Sequence, residues 1–122
     1  MFIGTDIVEI SRIQRLMELD KTRFMARVFT GSEIRKIGIE EPDYQRASGF
    51  WAAKESLVKA VGTGFRDGIS FQDMEICHDE YGRPYYILTG KLNDVFNEKG
   101  MSRISLSISH CATHAIAAVV IC

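Results

Sequence analysis

Two carboxylates and a lysine stand out in this chain because their types and spacing could do chemistry. Asp6 follows the short apolar segment 2–5, and Glu55 lies in a helix-like run with Lys59 one turn further along. Magnesium prefers oxygen ligands and is usually bound through one or two carboxylates together with substrate phosphates. The set therefore predicts a hard-metal site for a phosphate ester, with Asp6 and Glu55 as metal ligands and Lys59 beside them.

Each of these residues also has a purely structural interpretation. An Asp at the end of a strand is equally suited to cap the helix that follows it. Glu55 and Lys59 share a helix face, and an exposed pair of this kind contributes only about 0.3–0.5 kcal/mol. The residue types alone leave both interpretations open.

A glycine-rich segment follows the helix that carries Glu55, with three glycines in residues 62–68. Such a loop can bring backbone N–H groups close to phosphate oxygens, although many glycine-rich loops are only turns. No GK[ST] motif follows any glycine loop, and no nucleophile elbow is present. Neither a P-loop enzyme nor a serine hydrolase is therefore indicated.

His110 ends a segment of strict alternation, residues 105–110, in which three serines share one face. The opposite face carries Leu106, Ile108 and His110. A histidine in this setting is more often a hydrogen-bonded, half-buried side chain than a catalyst, so the pattern leaves its role open.

Hydrophobic periodicity and capping signals predict the elements that must position these residues. In chain order they are a strand at 1–8, a helix at 10–17, a helix at 23–28, a short helix with a capping box at Thr30 and Glu33, a long helix at 44–61 that stops at Gly62, a strand at 71–78, a strand at 84–88, a helix capped by Thr89 that runs to Lys99, and strands at 103–110 and 114–121. This order predicts a single domain over 1–122 of α+β class, with an antiparallel sheet and a long central helix.

Composition narrows the function class. The 122 residues are 46% hydrophobic with a net charge of −1, so neither nucleic acid nor a membrane is an expected partner. The three cysteines lack metal-type spacing and suit a reducing cytoplasm. No basic segment followed by a long apolar stretch marks a signal peptide.

Together these residues resemble the holo-acyl-carrier-protein synthase family, the small class of phosphopantetheinyl transferases. The resemblance covers essentially the whole chain. It rests on GTDIVEI at 4–10, FTGSE at 29–33, FWAAKESLVK at 50–59 with GTG at 62–64, and SISH at 107–110. The pair of G-x-D and W-A-A-K-E-S-x-x-K in one chain is highly specific.

The resemblance implies transfer of 4′-phosphopantetheine from coenzyme A to a serine of apo acyl carrier protein, in support of fatty acid biosynthesis. Adenosine 3′,5′-bisphosphate would be the other product, and Mg²⁺ the metal. The resemblance also implies a homotrimer with active sites between subunits. Asp6, Glu55 and Lys59 carry over as the catalytic set, with Glu55 or a metal-bound water as the base. The residues that carry over as coenzyme A contacts are Lys59, Gly62, Thr63, Gly64, Arg83, Pro84 and His110.

The same resemblance gives the basic residues near the start of the chain a role. Acyl carrier proteins are small and acidic, so a basic surface suits them. The residues expected to dock the carrier protein are Arg12, Arg15, Lys21, Arg23 and Arg27. The alternative is ordinary solubility charge. Two other functions stay open at this stage: a protein that holds coenzyme A without turnover, and a scaffold subunit of a synthase complex.

Overall fold

The computed structural model describes residues 1–122 and has the predicted α+β architecture. Its strands are β1 (Phe2–Glu9), β2 (Met74–His78), β3 (Pro84–Leu88), β4 (Ile104–His110) and β5 (His114–Ile121). Its α-helices are α1 (Ile10–Leu19), α2 (Lys21–Val28), α3 (Gly31–Ile37), α4 (Tyr44–Val61) and α5 (Gly90–Glu98). A single 3-10 turn lies at Phe71–Asp73. No helix is long and apolar enough to cross a bilayer.

The strands form two antiparallel sheets rather than one. A three-stranded sheet has the order β1-β5-β4, and β2 and β3 form a separate hairpin. The register places Asp6 opposite Ala117, which in turn lies opposite Ile108. Asp6 therefore lies inside its strand, three residues before the end, and not at the strand end that the sequence suggested.

The long helix α4 packs across β1 and β5 and supplies much of the core. Asp43 caps its first turn by accepting from the N–H of Arg46, and Gly62 ends it with a left-handed φ of 92°. Ala52, Ala53 and Leu57 are fully buried. The predicted bounds of this helix are confirmed.

Gly4 sets the distance between β1 and α4. A Cβ built at Gly4 would lie 2.0 Å from the carbonyl oxygen of Ser56 and 3.0 Å from the Cβ of Ala60. Only glycine allows the strand to come this close to the helix. This contact brings Asp6 of the strand toward Glu55 and Lys59 of the helix.

A buried ion pair fixes α4 against the other helices. Lys54 and Glu33 are 0% exposed, and the Lys54 Nζ to Glu33 Oε1 distance is 2.7 Å. Lys54 also donates to the carbonyls of Val28 and Phe71, while Glu33 accepts from the N–H groups of Thr30 and Ile76. Burial lowers the pKa of Lys54, and the charge of Glu33 opposes that effect. Every polar group of the pair is satisfied, as a buried charge requires.

Three local predictions needed correction. Helix α2 begins two residues early, at Lys21, because the Asp20 side chain accepts from the N–H of Arg23. The strand predicted from residue 71 begins at Met74, because Ser70 caps the 3-10 turn that precedes it. Thr89 precedes α5 but makes no side-chain cap; Asp73 instead accepts from the N–H of Leu92.

Candidate active site

Asp6 and Lys59 meet where β1 crosses α4. The Lys59 Nζ lies 3.0 Å from Asp6 Oδ1 and 3.1 Å from the carbonyl oxygen of Thr5. Helix α1 begins after Glu9 and has no side-chain cap, so Asp6 does not cap it. The capping interpretation of Asp6 is therefore wrong.

Glu55 lies in the same cluster, half-buried on α4. Burial raises the pKa of Glu55, and the nearby charge of Asp6 raises it further, against the opposing charges of Lys59 and Arg12. Its carboxylate makes no ion pair with Lys59, which contacts Asp6 instead. The predicted exposed Glu–Lys pair along the helix is therefore absent.

These two carboxylates suit a divalent cation. No group of three or more acidic, histidine or cysteine side chains is present, so the chain offers no complete protein cage for a metal. Magnesium commonly takes one or two carboxylates and completes its coordination with water and substrate phosphates. Asp6 and Glu55 fit that pattern. Their negative charges disfavour each other, and a bound cation would stabilise both ionised carboxylates.

The glycine-rich loop differs from the expected phosphate cradle. The N–H groups of Gly62, Thr63 and Gly64 all turn back to the carbonyl of Val58, at 3.0, 3.2 and 3.1 Å. These three N–H groups finish α4 and are therefore already paired within the chain. The Thr63 hydroxyl, by contrast, is a buried oxygen without a hydrogen-bond partner in the chain. Such a group is costly unless a ligand pairs with it.

A separate cleft of about 240 Å³ lies at the other end of α4. Its lining combines cationic, imidazole and aromatic side chains: Asp43, Gln45, Arg46, Gly49, Phe50, His78, Gly82, Pro84, Ile108 and His110. Burial lowers the pKa of His78, as do the nearby charges of Lys36 and Arg46. The cleft suits a planar, anionic ligand group, and its size allows only part of a large cofactor.

Two predicted contacts, Pro84 and His110, meet in this cleft, while Arg83 lies outside its lining. His110 is exposed and has no hydrogen-bond partner in the chain. The interpretation of His110 as a hydrogen-bonded, half-buried side chain is therefore wrong. The serines of β4 do lie on the outer face of the sheet, as the alternation predicted.

The cleft and the carboxylate pair lie on opposite faces of α4. Arg46 and Glu55 are nine residues apart, which at 3.6 residues per turn places them about 180° around the helix. Gly49 and Phe50 share the Arg46 side through their spacing of three and four residues. One copy of the chain therefore presents its predicted site residues as two separate groups.

Comparison with known proteins decides the family. A sequence model of the 4′-phosphopantetheinyl transferase superfamily matches residues 2–119. The holo-[acyl-carrier-protein] synthase of Thermoanaerobacter sp. (strain X514) is 42% identical over 98% of this chain and 86% of its own length. The chain belongs to the 4′-phosphopantetheinyl transferase superfamily.

Solved structures of superfamily members share the whole fold. The holo-[acyl-carrier-protein] synthase of Neisseria meningitidis superposes with a TM-score of 0.89 at 37% identity, covering 98% of this chain and 96% of that one. The Helicobacter pylori enzyme, solved in complex with coenzyme A, has a TM-score of 0.87 at 32% identity over 98% and 99% of the two chains.

Four residues of the predicted basic cluster line a groove made of two adjoining depressions along α1 and α2. Arg12 and Arg15 line the first depression, on α1, together with Glu18. Arg23 and Arg27 line the second, between α1 and α2, together with Asp20. Leu16 and Leu19 are shared by both. Arg12 also lies 5.8 Å above the ring of Trp51. Lys21 is different, because its ammonium is bound to the carbonyl of Ile39.

Sequence reasoning missed Arg46, Phe50 and His78, which line the cleft. One signal was available: Gly49 lies in mid-helix, where glycine costs about 1 kcal/mol relative to alanine, and a Cβ there would come 3.0 Å from Ile108. That cost indicates a close approach, here of β4 to α4. His78 carried no comparable signal because β2 reaches the cleft only through tertiary packing.

Proposed function

We propose that this protein transfers 4′-phosphopantetheine from coenzyme A to the acceptor serine of apo acyl carrier protein. Holo acyl carrier protein and adenosine 3′,5′-bisphosphate are the products, and the reaction takes place in the cytoplasm. The observation that carries the proposal is the convergence of Asp6, Glu55 and Lys59 where β1 crosses α4. Relatives named holo-[acyl-carrier-protein] synthase, and a structural neighbour in complex with coenzyme A, support it.

Asp6 and Glu55 would hold a Mg²⁺ ion. The ion, when bound, supplies charge neutralisation for the phosphoryl oxygens of the diphosphate. Asp6 suits this role because its carboxylate already binds one cation in the site, the ammonium of Lys59. Glu55 suits this role because burial and the charge of Asp6 both disfavour its ionised form, and a bound cation would offset that cost.

The side chains around the metal pair divide the remaining work. Glu55, or a water bound to the metal that it would hold, would take the proton of the acceptor serine. Lys59 would contact the phosphates. The unpaired Thr63 hydroxyl would donate to the same ligand and so satisfy its hydrogen-bonding capacity.

The active site is completed by a second copy of the chain. The cleft with Arg46, His78 and His110 would take the nucleotide end of coenzyme A. Because it lies on the opposite face of α4 from Glu55, the diphosphate would extend to the metal pair of a neighbouring copy. A homotrimer with sites between subunits satisfies this requirement three times with one repeated contact.

The groove between α1 and α2 would dock the acyl carrier protein. Four arginines outnumber the two carboxylates of its lining, Glu18 and Asp20, so its surface has a net positive charge that matches an acidic helix. Its Arg12 end adjoins Glu55, since the charge of Arg12 affects the pKa of Glu55. A carrier helix in this groove would therefore bring its serine close to the reacting phosphate.

Arg12→Glu is expected to raise the KM for apo acyl carrier protein about tenfold and to change the KM for coenzyme A much less. The reason is that a rim charge acts mainly on association with the partner. Steady-state kinetics with each substrate varied in turn measures the two constants. Lys99→Glu, the same change of charge at an exposed residue directly after α5, is the control. Equal effects of Arg12→Glu on both KM values would contradict the docking surface.

Intact-mass spectrometry of apo acyl carrier protein tests the activity itself. After incubation with the protein, coenzyme A and Mg²⁺, the carrier should gain one phosphopantetheine group, and EDTA should abolish the gain. No gain across several carrier proteins would refute the transferase. Retained binding of coenzyme A would then indicate a binding protein, and carrier binding that needs no coenzyme A would indicate a scaffold subunit.

A further inference from the structure

We propose that Lys59 is an exchangeable counter-ion, which neutralises Asp6 until a divalent metal binds and then moves to the phosphates of coenzyme A. The inference rests on the proposed function. It adds that the metal and coenzyme A bind cooperatively, because the same lysine responds to both.

The contact between Lys59 and Asp6 is asymmetric. The Asp6 side chain is 14% exposed and fixed within β1, whereas the Lys59 side chain is 53% exposed. The ammonium makes two contacts, with Asp6 Oδ1 and the Thr5 carbonyl, and both come from β1. A lysine with three donors on a flexible stem can leave these acceptors, while the carboxylate stays in place.

A metal on Asp6 would compete directly with Lys59. The ammonium lies 3.0 Å from Asp6 Oδ1 and so occupies part of the carboxylate that would hold the metal. Two cations at one carboxylate would repel each other, and the more mobile cation would leave. Lys59 begins from the last turn of α4, next to the loop with the unpaired Thr63 hydroxyl, so its stem can swing toward ligand phosphates.

The formal charge of the cluster supports the same conclusion. Asp6 and Glu55 carry two negative charges. Lys59 contacts Asp6, and the positive charges of Lys59 and Arg12 both act on Glu55. The cluster is therefore already neutral without a metal. A divalent cation alone leaves an excess of two positive charges, which the diphosphate of coenzyme A removes. The metal should bind weakly by itself and more tightly together with coenzyme A.

Titration with Mn²⁺ tests the inference, with the electron paramagnetic resonance signal of free Mn²⁺ as the readout. Lys59→Met removes the charge and keeps most of the stem. It should tighten Mn²⁺ binding in the absence of coenzyme A by about threefold to tenfold, because Asp6 no longer has a competing cation. Lys59→Arg keeps the charge and should bind Mn²⁺ as the unchanged protein does. The effect of coenzyme A on Mn²⁺ affinity should be smaller for Lys59→Met than for the unchanged protein.

Lys99→Met, which removes an exposed lysine directly after α5, is the matched control and should leave Mn²⁺ affinity unchanged. Unchanged or weaker Mn²⁺ binding by Lys59→Met would overturn the inference, provided that Asp6→Asn still abolishes binding. If Asp6→Asn and Glu55→Gln both bind Mn²⁺ as the unchanged protein does, the proposed metal site is wrong, and the inference falls with it.

Discussion

At the scale of the residue, the position of Glu55 disfavours its ionised form and so lowers the stability of the fold at neutral pH. Its carboxylate is half-buried near Asp6, and burial is the larger cause of its raised pKa. The native state therefore binds the Glu55 proton more tightly than the unfolded chain does. By linkage, the stability of the fold decreases as the pH rises from the ordinary value of 4.5 through the raised pKa.

Glu55→Gln should therefore lower turnover by about 10²-fold or more and yet make the fold more stable at pH 7. The amide cannot ionise, so it avoids the cost of a buried charge beside Asp6. Thermal unfolding in metal-free buffer should show a melting temperature a few degrees higher at pH 7, and the difference should shrink toward pH 4.5. Near-normal turnover would refute Glu55 as ligand or base, and equal melting temperatures at both pH values would refute the electrostatic account.

At the scale of the element, the close packing of β1 on α4 assembles the site. Asp6 reaches Lys59 only because Gly4, two residues earlier, lets the strand approach the backbone of Ser56.

A row of stacked aromatic rings joins α2, α4, the 3-10 turn and the glycine-rich loop. In order, its members are Phe24, Trp51, Phe71 and Phe65, with centroid separations of 5.9, 5.0 and 4.0 Å.

Gly4→Ala should destabilise the fold by about 2–3 kcal/mol, because the added Cβ meets a backbone carbonyl that cannot rotate away. It should also reduce turnover in the molecules that still fold, since β1 moves away from α4 and carries Asp6 with it. Urea unfolding and transferase assays measure the two effects. Gly31→Ala is the control: its Cβ would meet only the end of the Arg35 side chain at 3.6 Å, so stability should change little. Equal stability of the two variants would contradict the packing argument.

At the scale of the whole molecule, the three-stranded sheet has one face without a partner in the chain. α4 covers the inner face, and the outer face exposes Ile3 (71%), Ile7 (64%) and Ile116 (43%). Ile7 and Ile116 are neighbours in the register, so their side chains form one apolar patch. Such a patch suits the contact between copies that we propose for the active site.

Ile7→Glu should convert the proposed trimer into monomers, because association would bury a charge in each contact. Light scattering after size exclusion measures the mass. Transfer activity should fall with the trimer, although the Ile7 side chain points to the face of the sheet opposite Asp6 and does not line the cleft. Ile39→Glu, at a similarly exposed isoleucine outside the sheet, is the control and should remain trimeric and active. A monomer with full activity would refute the site between subunits.

Local signals account for the parts of the prediction that were confirmed. Helix α4 was predicted to the residue because Asp43 and Gly62, its two caps, are adjacent to it in sequence. The capping box of Thr30 and Glu33 was likewise readable from their spacing. The predicted start of β2 at residue 71 was wrong because Asp73 both closes a local turn and caps the distant helix α5.

The sequence by itself determined the element order, the α+β class, the family resemblance and the residues Asp6, Glu55 and Lys59. These follow from caps, periodicity and motifs, which act over a few residues. Only the tertiary structure decided that Lys59 contacts Asp6 rather than Glu55, and that Arg46, His78 and His110 share a cleft on the opposite face of α4. Those facts depend on how far β1 and the β2–β3 hairpin approach one helix, and packing between distant segments sets that distance.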